Sequence, residues 1–105
     1  MKTIIEGKRY DTDKAILVGE YATPGLGHSD FRYFEAALYR TPRSGVYFLA
    51  GEGHAMTAFA RHSPDGMRGW GSKIIPMDRD EALEWAEQFP SVEEIERGFP
   101  GLEDA

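Results

Sequence analysis

The sequence contains no cysteine. Disulfides, thiolate zinc sites and thiol nucleophiles are therefore excluded. A reducing compartment is favoured, because secreted chains this short often carry a disulfide framework. Long apolar runs are missing too. No stretch approaches the roughly 20 residues that span a bilayer. The opening Met1-Lys2-Thr3-Ile4-Ile5-Glu6 meets a charge before a signal-peptide core can form. Both features lead us to expect a cytoplasmic protein without membrane association. Histidine is scarce, with only His28, His54 and His62. They match no compact ligand spacing such as HExxH, so neither a metal nor a cofactor is expected.

Nucleotide and nucleophile signatures are missing as well. Gly51, Gly53, Gly66, Gly69 and Gly71 form no GxxxxGK[ST] and no GxGxxG between a strand and a helix. Such glycines serve turns. Ser29 and Ser63 lie near histidines but outside any GxSxG pattern. The least unfavourable acid/base pair is His54 with Glu52. It supports a small-enzyme alternative only if histidines and carboxylates cluster in space.

What is present is acid, unevenly placed. The net charge is −6 over 105 residues. Residues 1–77 balance to +2, and residues 78–105 to −8. An acidic surface argues against direct nucleic-acid binding and suits a basic protein partner. Asp80, Glu84 and Glu87 recur at i, i+4 and i+7, hence on one helix face. Glu93, Glu94 and Glu96 extend the negative surface, and Glu103 and Asp104 add to it. No (i, i+4) lysine relieves the row. A solvated helix face is the ordinary explanation of such a row. Its functional counterpart is mimicry of a phosphate backbone toward a Lys/Arg-lined groove.

The length suits one domain, residues 1–105, with an acidic helical segment over 78–105. Lys2–Ile5 and Lys8–Thr12 read as short strands around Gly7, and Ala15–Tyr21 as a third. Phe31–Thr41 and Val46–Gly51 read as a hairpin joined by Pro42-Arg43-Ser44-Gly45. Phe34, Ala36 and Leu38 share one face by alternation; Tyr33, Glu35, Ala37 and Tyr39 share the other. The hairpin register decides whether Tyr47 joins Tyr33 and Tyr39, with Arg32, Arg40 and Arg43 at the flanks. Tyrosine and arginine are common interface anchors, but ordinary cross-strand packing accounts for such rings more readily.

Ala55–Arg61 reads as a short helix and Ser63–Ser72 as a loop. Lys73–Met77 reads as a strand that Pro76 restricts to an edge or an end. Asp78 with Glu81, and Ser91 with Glu94, are capping-box signatures. They open a helix over Arg79–Gln88, with Pro90 as its stop, and a shorter helix whose apolar side is Val92, Ile95 and Phe99. Trp85 and Phe89 are expected to fix the first helix to the sheet. The fold class is α+β: an antiparallel β-sheet of about four to five strands with a C-terminal α-helix packed on one face.

The segments Gly7-Lys8-Arg9-Tyr10-Asp11-Thr12, Leu38-Tyr39-Arg40-Thr41, Tyr47-Phe48-Leu49, Gly51-Glu52-Gly53, Ile74-Ile75-Pro76 and Glu81-Ala82-Leu83-Glu84-Trp85-Ala86 carry a resemblance. It spans nearly all of residues 2–90. The chain resembles a family of small bacterial proteins encoded on phages, plasmids and other mobile elements. Some small proteins of this kind are anti-CRISPR proteins, which bind and block a CRISPR effector. The resemblance implies a stoichiometric inhibitor in a bacterial host cell, and it carries no catalytic residues. An antitoxin-like or accessory protein-binding module is the alternative in the same class.

Overall fold

The structure, a computed structural model, describes residues 1–88 and 92–105. Strands β1 (Lys2–Ile5) and β2 (Lys8–Asp11) pair antiparallel, with Ile5 opposite Lys8. The two turn residues, Glu6 and Gly7, have φ of 50° and 78°. A two-residue hairpin turn of this hand needs positive φ at both positions, which is why Gly7 sits there.

The main sheet is antiparallel in the order β3-β4-β5-β8. Its strands are β3 (Ile16–Ala22), β4 (Phe34–Arg40), β5 (Tyr47–Gly53) and β8 (Gly71–Met77). A two-residue ladder, β6 (Arg61–His62) with β7 (Arg68–Gly69), precedes β8. β8 is an edge strand, so Pro76 costs no ladder bond on its outer side. A register shift between Leu17 and Gly19 leaves Val18 as the extra residue of a bulge. The bulge delivers Val18 into the core.

Helices α1 (Arg79–Ala86) and α2 (Val92–Gly98) follow the sheet. α1 opens on the capping box that its sequence announces. The Asp78 carboxylate accepts from the Glu81 N–H at 2.8 Å, and the Glu81 carboxylate accepts from the Asp78 N–H at 3.1 Å. The fold class agrees with expectation: an antiparallel four-stranded sheet with helices against it.

Alternation decides what each sheet face buries. Val18, Ala36, Leu38, Tyr47 and Leu49 form one core with Ala82 and Ala86 of α1, together with Phe59 and Phe99. Tyr10, Phe48, Ala50 and Ile74 form a second core on the opposite face, with Ile5, Ala15 and Tyr39 around it. The β1–β2 hairpin supplies Tyr10, whose ring meets Phe48 edge-on at 5.4 Å. The sheet is thus covered by the helices on one side and by a hairpin over part of the other.

Several sequence expectations are corrected. Ala55–Arg61 is not helical: it is a series of turns that enters β6. The Ala55 N–H donates to His54 Nδ1, the Thr57 hydroxyl donates to the His54 carbonyl, and the Met56 N–H donates to the Phe31 carbonyl. These bonds take the groups a helix would use. The stretch Ser63–Ser72 holds β7 and the start of β8 and is not wholly loop. β4 begins at Phe34, so Phe31 lies before the strand. α1 stops at Ala86, where Glu87 and Gln88 N–H groups close back on Glu84 and Trp85 carbonyls in a tighter turn. Val92 is exposed, so the buried side of α2 is carried by Gly98 and the neighbouring Phe99, with Ile95 packed beside them. The expected roles of Phe89, Pro90 and Ser91 fall outside the described residues.

Candidate functional site

Two surfaces stand out, and they lie on opposite sides of the sheet. The first is the outer face of α1. Asp80, Glu84 and Glu87 are all exposed there, and among the described residues no ion pair holds any of the three. Ala82 and Ala86 turn inward onto the sheet, which fixes the acids outward. The last turn of α1 contains no basic residue. Glu84 and Glu87 thus sit near the negative end of the helix dipole, an arrangement that works against helix stability. Glu93 is exposed and Glu94 half-buried on α2. Among the described residues, one carboxylate oxygen of Glu94 is buried without a hydrogen-bond partner. Glu94 and Arg97 both line a cavity of about 280 Å³ beside the β3 bulge.

The tyrosines expected to form a patch are divided by register. Arg40 pairs with Tyr47, so Tyr47 points to the helix face and not to the side of Tyr33 and Tyr39. It is buried there, its ring stacked on Phe99 at 4.7 Å and its hydroxyl donating to the Gly98 carbonyl. Tyr47 is a core residue and presents nothing to a partner. Tyr39 is half-buried and stacks on Phe48 at 5.4 Å. Burial raises its pKa, and Glu20 and Asp13 add to the shift. Arg32 does not flank a tyrosine patch freely, since it is held by Asp30 at 3.0 Å.

Tyr33 is buried beneath the second surface and is not the exposed interface anchor expected of it. It lies on the sheet face left open beside the β1–β2 hairpin, where alternation places Glu35, Ala37 and Glu52. The Tyr33 hydroxyl donates to Glu35 Oε2 at 2.8 Å and lies 3.1 Å from His28 Nε2. Glu35 and Glu52 are direct cross-strand partners. The Tyr33 hydroxyl holds the Glu35 carboxyl below its ordinary pKa. A hydrogen bond with Glu52 and the charge of His28 act in the same direction, against burial. The same bond to Glu35 pushes the Tyr33 phenol up.

Trp70 closes this end of the face. Its ring stacks on Tyr33 at 6.0 Å and meets His28 at 5.8 Å and His54 at 6.0 Å. Phe31 packs on His54 at 4.8 Å yet remains 58% exposed. Beside the carboxylates is an open cavity of about 640 Å³, with Glu20, Glu35 and Glu52 around it and Ala37 and Ala50 in its lining.

His54 and Glu52 do share this face, but no hydrogen bond joins them, and His54 Nδ1 is engaged by the Ala55 N–H at 2.7 Å. His62 lies apart on β6. Among the described residues no three His, Asp or Glu side chains are placed to hold a metal ion. No helix among them is long and apolar enough to cross a membrane. Trp70, Glu20 and the Glu35–Glu52 pair were not singled out from the sequence. Alternation along β4 gives the face of Glu35, but only the β4–β5 register puts Glu52 opposite it. Comparison of the chain with protein families, with curated proteins and with solved structures returns no match in any of the three.

Proposed function

We propose that this protein is a stoichiometric inhibitor that binds the basic surface of a nucleic-acid-handling bacterial complex. A CRISPR effector is the complex that the sequence resemblance suggests. The observation that carries the proposal is the exposed, unpaired acid row Asp80, Glu84 and Glu87 on a helix with no basic residue in its last turn. The row runs about 10 Å along the helix axis at 1.5 Å per residue. The three charges stand about 5 Å apart along that axis, sparser than the phosphates of one nucleic-acid strand at about one per 3.4 Å, but of the same sign and on one line. A capping box and two buried alanines hold the row on a firm base, so little order is lost when it docks. Glu93 on α2 is exposed as well, whereas Glu94 lines the cavity beside β3.

A DNA-binding assay with a purified effector tests the proposal. Added protein should release DNA at a one-to-one ratio, and raised salt should weaken the inhibition. DNA binding unaffected at a severalfold excess of the protein would reject the CRISPR assignment. Release of an unrelated basic protein, such as a toxin, would favour the antitoxin-like module. A small enzyme is the second reading. It is favoured by the gathering of His28, Tyr33, Glu35, Glu52 and His54 at one end of the sheet.

A further inference from the structure

We propose that the open end of the sheet, bounded by Glu35, Glu52, Trp70 and Phe31, receives an arginine side chain of a protein partner. The site lies across the sheet from the α1 acid row, and its argument does not depend on what that row binds.

The charge pattern favours either a shared proton or an outside cation between the two carboxyl groups. Glu35 and Glu52 sit directly opposite one another on adjacent strands. Like charges in that position destabilise a sheet, and their Cβ atoms are only about 5 Å apart. No Lys or Arg pairs with either among the described residues; the ionisable base beside them is His28, whose Nε2 lies 3.8 Å from Glu35 Oε2. The Tyr33 hydroxyl keeps a proton directed at Glu35, which favours its ionised form. A cation from outside would convert a repulsive pair into a two-pronged acceptor.

The walls specify which cation. Trp70 is half-buried and braced by Tyr33, His28 and His54, so its ring is fixed before any ligand arrives. Tyr33 stacks on this indole and donates to Glu35, so the ring is held near that carboxylate, and its other face is a cation–π surface. A guanidinium is planar, stacks on such rings and donates to two oxygens at once, whereas an ammonium is a compact point charge. Two carboxylates from neighbouring strands with an aromatic flank therefore suit arginine better than lysine. The adjoining cavity of about 640 Å³ has room for the aliphatic stem over Ala37 and Ala50. An aromatic and carboxylate pocket of this kind is the complement of an arginine anchor, a frequent contributor to interface energy.

The experiment is a titration of ¹⁵N-labelled protein with Nα-acetyl-arginine amide, followed by NMR. Parallel titrations use the capped citrulline, which keeps the shape without the charge, and the capped lysine. Arginine should shift the Trp70 indole N–H and the amides of Glu35 and Glu52 saturably, citrulline should not, and lysine should bind several-fold more weakly. Glu52→Gln keeps the side-chain shape, relieves the repulsion and should weaken arginine binding roughly tenfold, the loss expected for one charged hydrogen bond. Replacing Asp80, Glu84 and Glu87 with Lys should leave the titration unchanged, which separates this site from the inhibitory face. Equal shifts from arginine and citrulline would overturn the proposal. So would no response to arginine, or shifts confined to α1. Lysine binding as tightly as arginine would overturn the guanidinium assignment.

Discussion

Gly98→Ala is the substitution that most sharply tests how α2 is docked. A Cβ at Gly98 would lie 2.4 Å from Val18 Cγ1 and 2.8 Å from Cγ2. Val18 is the bulge residue of β3 and is almost fully buried, so it has little room to withdraw. Overpacking of this type costs about 1–3 kcal/mol. Alanine regains up to about 1 kcal/mol through helix propensity. The net loss is about 1–2 kcal/mol, which for a chain this size lowers Tm by roughly 5–15 °C. Val18→Ala alone removes buried methyl groups and costs about 2 kcal/mol. In the double variant the new methyl fills the vacated space, so the two losses should fall short of their sum by about 1 kcal/mol or more. Thermal and urea unfolding of the four proteins give the cycle. Additive losses, or a Gly98→Ala protein that melts like wild type, would refute the packing of α2 on the β3 bulge.

The remaining predictions concern protons. Tyr33→Phe removes the donor to Glu35 and should raise the Glu35 pKa toward its ordinary value, read by ¹³C NMR of the carboxyl. Because the folded pKa is depressed, Glu35 contributes stability above its unfolded pKa, and that contribution is lost as pH falls through the folded value. The variant should therefore be less stable at neutral pH and depend less on pH on the acid side. Asp30 has its pKa lowered from 3.8 to about 2, first by the Arg32 side chain and then by the Arg32 N–H. Its contribution is present above about pH 4 and is lost as pH falls through about 2. Arg32→Ala should raise the Asp30 pKa only part of the way, because the backbone bond at 2.9 Å remains.

The fold was legible where local chemistry acts alone. The Glu6-Gly7 turn, the Asp78 capping box and the edge position of Pro76 follow from residue type and spacing. The alternation of β4 was legible too, since Leu38 and Tyr39 can only face opposite ways. What failed depended on pairing across distance. Tyr47 changes faces with a shift of one residue in the β4–β5 register, and no local signal near Pro42–Gly45 fixes that register. Ala55–Arg61 has helical residues, but His54 and Thr57 side chains capture its backbone groups. The acid row on α1 was visible as a period in the sequence. The site around Trp70 was not, because it assembles His28, Tyr33, Glu35, Glu52 and His54 from a loop and two strands.

The central claim is that the α1 acid row is the inhibitory surface. It is tested most directly by retrieving partners from host lysate on wild-type protein and on the variant with Asp80, Glu84 and Glu87 all changed to Lys. Circular dichroism should show both to be folded, since exposed substitutions rarely shift stability by more than about 0.5 kcal/mol each. The account predicts that wild type retains a nucleic-acid-handling complex, identified by mass spectrometry, and that the variant retains none of it. Recovery of the same complex by both proteins in equal amount would contradict it.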